Sequence, residues 1–298
     1  MKPLTALPLL ASTTLAIPHY SYPLPAQKYL ISFGDSYTST TFNISSTKPS
    51  STNPLGNPPW PGWTSSGGAN WISNLVARYN DSLLLSYNLA YGGATVNADL
   101  VEPYSPEVLS LVDQVALFEE FLVPPPVWAK WDANDTLVAV WMGVNDVGGS
   151  WWQTDPDALQ VEILDQLFEQ IELVYAGGAR NFALLTVPPT QRTPQVTQGE
   201  NPEYTIEHLS AAIATWNTGL ASRADTFAAA HPDAVVKITD TQPVFNDLLD
   251  ADPEAAACWN EDGVSCLWFN DYHPGVEIQD AVARAVAGDW EGFFVVSE

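Results

Sequence analysis

Strand-like and helix-like stretches alternate along most of this 298-residue chain, and that alternation constrains its fold more than any other feature. The predicted strands are the apolar runs at 29–33, 83–89, 136–142, 181–187 and 235–239. The predicted helices span 70–78, 106–121, 157–176, 202–230, with a possible break near Gly219, and 274 to roughly 287. Strands and helices that alternate at this spacing predict a five-stranded parallel sheet with helices on both faces, a three-layer α/β/α domain.

The charge balance limits the partners that such a domain can have. The chain carries 35 acidic and 10 basic residues, a formal net charge of −25. This charge repels a polyanion such as nucleic acid. The hydrophobic fraction of 46% is enough to fill the core of one large α/β domain. We therefore expect a folded protein that does not bind nucleic acid.

The first 16 residues have the pattern of a signal peptide. A lysine precedes a short apolar segment that ends in small residues, so cleavage is predicted after Ala16. The segment is too short and too interrupted by proline to span a bilayer, and no later stretch is long enough. We expect residues 17–27 to form an N-terminal extension and 28–298 to form one domain. That domain is predicted to be secreted, extracellular, monomeric and free of the membrane.

Export makes the cysteines informative, because oxidising compartments favour their pairing. We predict a disulfide between Cys258 and Cys266, the two cysteines of the chain. Sequons for N-linked glycosylation agree with export and lie at Asn43, Asn80 and Asn134.

A serine follows the first predicted strand. Ligands of parallel sheets bind at the carboxyl ends of the strands, so functional residues should follow strands directly. Ser36 does so, in the turn Gly34-Asp35-Ser36 that ends the apolar run. A strand that ends in such a turn can raise a serine to the edge of the sheet, where several hydrolase folds present a nucleophile.

A serine hydroxyl needs a base to take its proton, and histidine is the usual base. The chain has four histidines. His19 lies near the predicted cleavage site, and His208 and His231 fall within or at the end of helical patterns. His273 lies instead in a loop between the last predicted strand and the last predicted helix, where it can meet Ser36. We therefore predict His273 as the base.

The oxyanion that forms when serine attacks an ester needs preorganised donors, each worth about 3 to 4 kcal/mol of transition-state stabilisation. Gly93 follows the second predicted strand and offers its backbone N–H, and Asn145 follows the third and offers its side-chain amide. The backbone N–H of Ser36 is the third candidate. A glycine turn or an asparagine N-cap is common on its own and does not indicate a site. Their joint occurrence at three strand ends predicts a site that hydrolyses esters.

Four short blocks resemble, in order, the sequence blocks of the SGNH, or GDSL-type, esterases. They are 34–37 (GDSY), 88–93 (NLAYGG), 143–146 (GVND) and 273–274 (HP). The resemblance covers nearly the whole chain after the predicted signal peptide. It implies a flavodoxin-like sheet, and it implies the roles given above to the serine, the histidine and the oxyanion donors.

Within this superfamily, the stretches NLAYGGATV, VPPTQRTP and NDYHPG are most similar to fungal secreted members of carbohydrate esterase family 16. Those members are acetyl esterases that act on acetylated xylo-oligosaccharides and similar sugars. The resemblance implies a secreted esterase that hydrolyses acetyl esters on such sugars through an acyl-enzyme on Ser36, without a cofactor. Two alternatives stay open: a lipase or phospholipase-type acylhydrolase that acts on longer acyl chains, and a non-catalytic carbohydrate-binding protein.

The residue that orients His273 departs from the family pattern, which has an aspartate three residues before the histidine. Asn270 stands at that place, and Asp271 follows it. Asn270 would orient the histidine through a neutral hydrogen bond, as asparagine does in papain-like sites, whereas Asp271 would do so through its charge. On chemical grounds we favour Asp271, with Asn270 as the alternative.

Four tryptophans are candidates for contact with a sugar. Trp60 and Trp63 lie in a loop, 39–68, that is rich in Ser, Thr, Asn, Pro and Gly and leaves the serine turn. Trp151 and Trp152 lie just beyond the third block. For each of them, packing within the protein competes with stacking on a substrate.

Two aspartates within the blocks, Asp35 and Asp146, are predicted to hold the turns that present Ser36 and Asn145. Metal binding is not expected, because no second histidine lies near His273 in the sequence and no ligand spacing recurs.

Overall fold

The computed structural model describes residues 27–296. The predicted signal peptide, His19 and nearly all of the predicted extension lie outside these residues. Five parallel strands form one sheet in the order β2-β1-β3-β4-β5, which is the flavodoxin-like order. The strands are β1 (Gln27–Gly34), β2 (Leu83–Asn88), β3 (Thr136–Trp141), β4 (Asn181–Leu185) and β5 (Val235–Thr239).

Helices cover both faces of the sheet, so the predicted α/β class is confirmed. Helices α1 and α9 pack together on one face, and α2, α4 and α6 pack on the other. The helices are α1 (Trp71–Ala77), α2 (Leu111–Leu122), α3 (Val144–Gly148), α4 (Pro156–Ala176), α5 (Pro194–Thr197), α6 (Pro202–Ala230), α7 (Thr241–Ala251), α8 (Pro253–Ala256) and α9 (Val276–Asp289).

The register of the central strands brings the functional turns to one edge. Ser32 of β1 pairs with Asn88 of β2, and Gly34 of β1 pairs with Trp141 of β3. These three strands therefore end at nearly the same level. Every residue of β3 is buried, as expected for a strand that helices cover on both faces.

Within residues 27–296, none of the helices combines the length and the apolar character that crossing a membrane requires.

Helix α2 begins five residues later than the predicted start at 106. Ser110 is its N-cap: the hydroxyl of Ser110 accepts a hydrogen bond from the backbone N–H of Asp113, and the Asp113 carboxylate accepts one from the backbone N–H of Ser110. This capping box satisfies two donors that the first turn leaves free, so it defines the start of the helix.

Helix α6 runs unbroken through Gly219, where the sequence indicated a possible break. A Cβ atom on Gly219 would lie 2.6 Å from Cδ1 of Leu164 in α4. The glycine therefore allows α4 and α6 to pack closely and does not end the helix. Helix α7, which we did not predict, begins directly after β5, where the carboxylate of Asp240 accepts a hydrogen bond from the N–H of Gln242.

Cys258 and Cys266 form the predicted disulfide, and their Cα atoms lie 5.7 Å apart. The bridge closes the segment that leads into the loop of His273. That loop is further held by the N–H of Phe269, which donates to the carbonyl of His273 at 2.8 Å, and by the N–H of Gly275, which donates to Leu267 at 2.8 Å.

Candidate active site

The turn after β1 presents Ser36 at the carboxyl edge of the sheet. The Asp35 carboxylate is buried beneath it and accepts a hydrogen bond from the N–H of Tyr37 at 2.9 Å, which tightens the turn. The side-chain amide of Gln114, in α2, accepts from the N–H of Gly34 at 3.0 Å and donates to its carbonyl at 2.9 Å. The backbone around Ser36 is thus held from both sides.

His273 meets Ser36 across the sheet edge, as predicted from its place before the last helix. Its Nε2 lies 2.8 Å from the hydroxyl oxygen of Ser36. The Tyr37 hydroxyl donates to the carbonyl of Tyr272 at 2.5 Å, and so ties the histidine loop to the serine turn. The Ser36 hydroxyl and the His273 imidazole are therefore joined both directly and through their neighbouring residues.

Asn270, and not Asp271, contacts the far side of the imidazole. The Oδ1 atom of Asn270 lies 2.9 Å from Nδ1 of His273. Asp271 is exposed, and its backbone carbonyl accepts a hydrogen bond from the N–H of Gln195 at 2.8 Å. This geometry corrects the preference for Asp271 that chemistry alone suggested.

The hydrogen bonds of Asn270 also define the tautomer of His273. Its Oδ1 accepts from the backbone N–H of Tyr272 at 3.0 Å and from that of His273 at 2.7 Å. Only an oxygen can accept from these donors, so the amide orientation is not ambiguous. Nδ1 of the imidazole must then donate its proton to this oxygen, which leaves the lone pair of Nε2 facing the serine hydroxyl.

Burial lowers the pKa of His273 from its ordinary 6.5 to about 4, and the charge of Asp271 opposes this shift only in part. A carboxylate in contact with Nδ1 would favour the imidazolium, whereas the neutral Asn270 amide does not. The imidazole is therefore neutral, and able to accept a proton, over an unusually wide acidic range.

The three residues that were predicted to supply oxyanion donors, Ser36, Gly93 and Asn145, line the same cleft. Within residues 27–296, the backbone N–H groups of Ser36 and Gly93 have no hydrogen-bond partner. Gly93 has a φ of +83°, which favours glycine, and its Cα packs against the ring of Tyr104. The side-chain amide of Asn145, in α3, donates one hydrogen to the carbonyl of Ala94 at 2.9 Å, which leaves the second for a ligand.

Asp146 links the loop of Gly93 to the turn of Asn145. Its buried carboxylate accepts a hydrogen bond from the N–H of Val96 at 2.8 Å, and so holds the loop of Gly93 against the turn of Asn145. Burial raises the pKa values of Asp35 and Asp146 from 3.8 to about 7. Both carboxyls act as structural supports of the turns, as the sequence suggested.

Ser36 and His273 lie in an open cleft of about 810 Å³. Trp151 and Trp152 line this cleft, and their rings form an edge-to-face pair with centroids 5.7 Å apart. Trp152 is 61% exposed, so its ring is available to a ligand. Tyr104, which sequence reasoning did not single out, also lines the cleft and is 82% exposed.

Trp60 and Trp63 do not line the cleft, in contrast to the prediction. Their loop folds back beside α1: the N–H of Trp63 donates to the carbonyl of Thr40 at 3.1 Å, and the hydroxyl of Ser73 donates to Pro61 at 2.6 Å. Both tryptophans are more than half exposed, so they do not pack in the core either.

In the part of the chain that the structure describes, no group of three or more His, Cys, Asp or Glu side chains is placed to hold a metal ion. Gln114 and Tyr104 are the site residues that sequence reasoning missed. Each follows β2 by more than ten residues, outside the four blocks, so no local pattern marks it.

Residues 30–286 match the sequence family described as GDSL-like Lipase/Acylhydrolase. A protein from Thermothelomyces thermophilus named Acetylesterase is 50% identical over 271 residues, which cover 90% of this chain and 89% of that protein.

Two solved structures are similar in fold. A variant of an acetyl-xylooligosaccharide esterase from Geobacillus stearothermophilus has a TM-score of 0.51 at 17% identity and covers 91% of this chain and 97% of its own. An extracellular lipase from Streptomyces rimosus has a TM-score of 0.50 at 15% identity and covers 88% of this chain and 99% of its own. At these identities the likeness shows the fold alone.

Proposed function

Because the chain belongs to the GDSL-like lipase/acylhydrolase family and is a carboxylic ester hydrolase, we propose that it removes acetyl groups from oligosaccharides through an acyl-enzyme on Ser36. The observation that carries this proposal is the hydrogen-bonded chain from Ser36 through His273 to Asn270, with distances of 2.8 and 2.9 Å. The acetyl group is supported by the relative that is 50% identical and is named Acetylesterase.

In the first half of the reaction, the hydroxyl oxygen of Ser36 attacks the ester carbonyl carbon while Nε2 of His273 takes the hydroxyl proton. The negative charge passes to the carbonyl oxygen, which accepts hydrogen bonds from Ser36 N–H, Gly93 N–H and the Asn145 amide. When the tetrahedral intermediate collapses, the sugar oxygen leaves with the proton from His273, and the acetyl group stays on Ser36.

In the second half, water enters through the open cleft and His273 takes one of its protons. The resulting hydroxide attacks the acetyl carbon of the acyl-enzyme, and the same three donors stabilise the second oxyanion. Collapse returns the proton from His273 to the oxygen of Ser36 and releases acetic acid, which ionises to acetate in solution. Asn270 keeps the imidazole in one tautomer and orientation throughout both halves.

Oligosaccharides are proposed as the acyl carriers on the basis of the cleft. Its exposed aromatic rings, Trp152 and Tyr104, offer flat apolar surfaces on which a sugar ring can stack. Its openness leaves room for a carrier much larger than an acetyl group. Trp151 and Trp152 form an aromatic pair in the cleft, and the ring of Tyr104 packs against Gly93.

Chain-length preference tests the acyl part of the proposal. The cleft is lined by polar side chains, such as Thr95 and Asn145, and by apolar ones, such as Val196 and Leu209. A methylene that became buried on binding would contribute about 0.8 kcal/mol, so a lipase would favour the longer acyl chain, whereas the relative named Acetylesterase supports a preference for the short one. We expect kcat/KM to fall at least about tenfold from p-nitrophenyl acetate to the octanoate, with the butyrate between them. A preference for octanoate would favour the lipase alternative.

The lowered pKa of His273 predicts activity in acid. The base works when it is neutral, so activity is lost only as the pH falls through its pKa, which burial lowers to about 4. We expect kcat/KM for p-nitrophenyl acetate to stay near its plateau down to about pH 5 and to be halved near pH 4. An acid limb centred near the ordinary histidine value of 6.5 would contradict this assignment.

Secretion is also proposed, on the basis of the N-terminal sequence and the disulfide. Two of the three sequon asparagines, Asn43 and Asn134, are exposed, and Asn80 is partly buried, so Asn43 and Asn134 are the better glycosylation candidates. Intact-mass measurement of the exported protein, before and after removal of N-glycans, would locate the new N-terminus and count the glycans.

A further inference from the structure

The two charged side chains that line the cleft are both acidic. They are Glu102, in the loop after β2, and Glu200, in the loop before α6. No lysine or arginine occurs among the lining residues that the structure describes. Because burial keeps His273 neutral, no fixed positive charge opposes these carboxylates within the cleft.

These glutamates reach the cleft from two different connections of the sheet. Glu102 follows β2 and Glu200 follows β4, while Ser36 and Asn145 follow β1 and β3. In the sheet, β1 and β3 lie between β2 and β4. Both glutamates line the same cleft as Ser36, so a carrier bound in this cleft lies in the field of two carboxylates.

The arginines of the described residues are engaged elsewhere. Arg192 lies nearest in sequence to the cleft, but its guanidinium pairs with Asp250 at 2.6 Å and donates to Asn246 at 2.7 Å. The other arginine ion pairs are Arg78–Asp280, Arg180–Asp233, Arg223–Asp165 and Arg284–Asp280. None of these arginines lines the cleft. The net charge of −25 adds a long-range repulsion to the local one.

We propose that the cleft discriminates by charge: it accepts neutral sugar carriers and rejects carriers that bear carboxylates, such as uronic acid oligomers. This inference rests on the proposed function and narrows its substrate class. The discrimination arises from Glu102 and Glu200, which meet the part of the carrier beyond the ester. Stacking on Trp152 and Tyr104 does not depend on the net charge of the sugar. A neutral sugar therefore keeps this attraction and avoids the repulsion from the two glutamates.

The test uses one sugar backbone with and without charge. Oligogalacturonides and their fully methyl-esterified forms are compared as competitive inhibitors of p-nitrophenyl acetate hydrolysis, so neither needs to be turned over. At low ionic strength we expect the acid form to bind about tenfold more weakly than the methyl ester, and the gap to shrink to about twofold in 0.5 M salt, where charges are screened beyond a few ångströms. The double variant Glu102→Gln/Glu200→Gln should remove most of the difference in affinity between the two forms.

The matched control is Glu119→Gln/Glu120→Gln, which makes the same change in net charge. These glutamates are exposed near the C-terminal end of α2, which returns toward the opposite edge of the sheet, and they do not line the cleft. The control variant should show the same difference in affinity between the acid and the methyl-ester forms as the wild-type protein. Equal inhibition by the two forms, no inhibition by either, or a gap that the cleft variant leaves unchanged would overturn the inference. A chain that fails to hydrolyse p-nitrophenyl acetate would overturn the proposed function instead.

Discussion

Replacing Ser36 with alanine is expected to lower kcat for acetyl esters by about four to six orders of magnitude, because the acyl-enzyme cannot form. The turn itself should persist, since Asp35, Gln114 and Tyr37 hold it through contacts that do not involve the serine hydroxyl. A serine-directed phosphonate should label the wild-type protein at Ser36 and leave the variant unlabelled. Mass spectrometry of the labelled peptide identifies the position.

Ser51→Ala is the matched control, because Ser51 is an exposed serine outside the cleft. It should keep the wild-type rate and the phosphonate label. If Ser36→Ala kept more than a few per cent of the wild-type kcat, or if the label appeared on another residue, Ser36 would not be the nucleophile. Sugar binding with no labelling of the wild-type protein would point to the carbohydrate-binding alternative.

Replacing Asn270 with alanine is expected to cost about a hundredfold or more in kcat, whereas Asp271→Ala should change it by less than about threefold. Asn270 holds Nδ1 of His273 at 2.9 Å and so selects the tautomer that faces Ser36. The carboxylate of Asp271 is exposed, and it acts on His273 only through its charge. Steady-state kinetics on p-nitrophenyl acetate measure both effects.

Asn270 also accepts two backbone hydrogen bonds, so its loss could disturb the loop as well as the imidazole. The conservative variant Asn270→Asp separates these roles, because it keeps an oxygen in place and adds a charge. It should retain activity and move the acid limb of the pH profile upward, since a carboxylate in contact with Nδ1 raises the pKa of His273. A larger loss in Asp271→Ala than in Asn270→Ala would restore Asp271 as the orienting residue.

A neutral orienting residue has a consequence for the conditions in which the site works. An aspartate behind the histidine stabilises the imidazolium that forms during catalysis, but it also holds a proton on the resting base in acid. Asn270 gives up part of that stabilisation, and burial then lowers the pKa of His273 to about 4. The arrangement suits a base that must remain neutral in acidic surroundings.

Some elements were predicted well because their causes are local. The strands differ from the predicted ranges by two residues or fewer at each end, since a run of apolar residues between turn residues marks a buried strand directly. The start of α2 was placed too early because the capping box at Ser110 depends on a pair of side chains and not on the apolar pattern. Gly219 suggested a possible helix break because the sequence does not show why a glycine is needed there. The cause is the close approach of Leu164, which lies on another helix.

The tryptophans likewise show that sequence patterns do not predict contacts between distant parts of the chain. Sequence alone could not say whether Trp60 and Trp63 face the cleft, because the path of a 30-residue loop is decided by contacts such as that between Ser73 and Pro61. Tyr104 packs against Gly93 although eleven residues separate them in the chain, because their loop folds back on itself. No periodicity or motif encodes such a return.

The sequence by itself determined the parallel α/β sheet, the serine at the end of its first strand, the histidine before the last helix and the donors that follow β2 and β3. These follow from periodicity and from the rule that parallel strands end at one edge. Only the tertiary structure decided between Asn270 and Asp271. Two adjacent side chains in a loop point in different directions, and no periodicity marks which of them reaches the imidazole. In the folded loop Asn270 does so, while its oxygen also accepts from the backbone N–H groups of Tyr272 and His273.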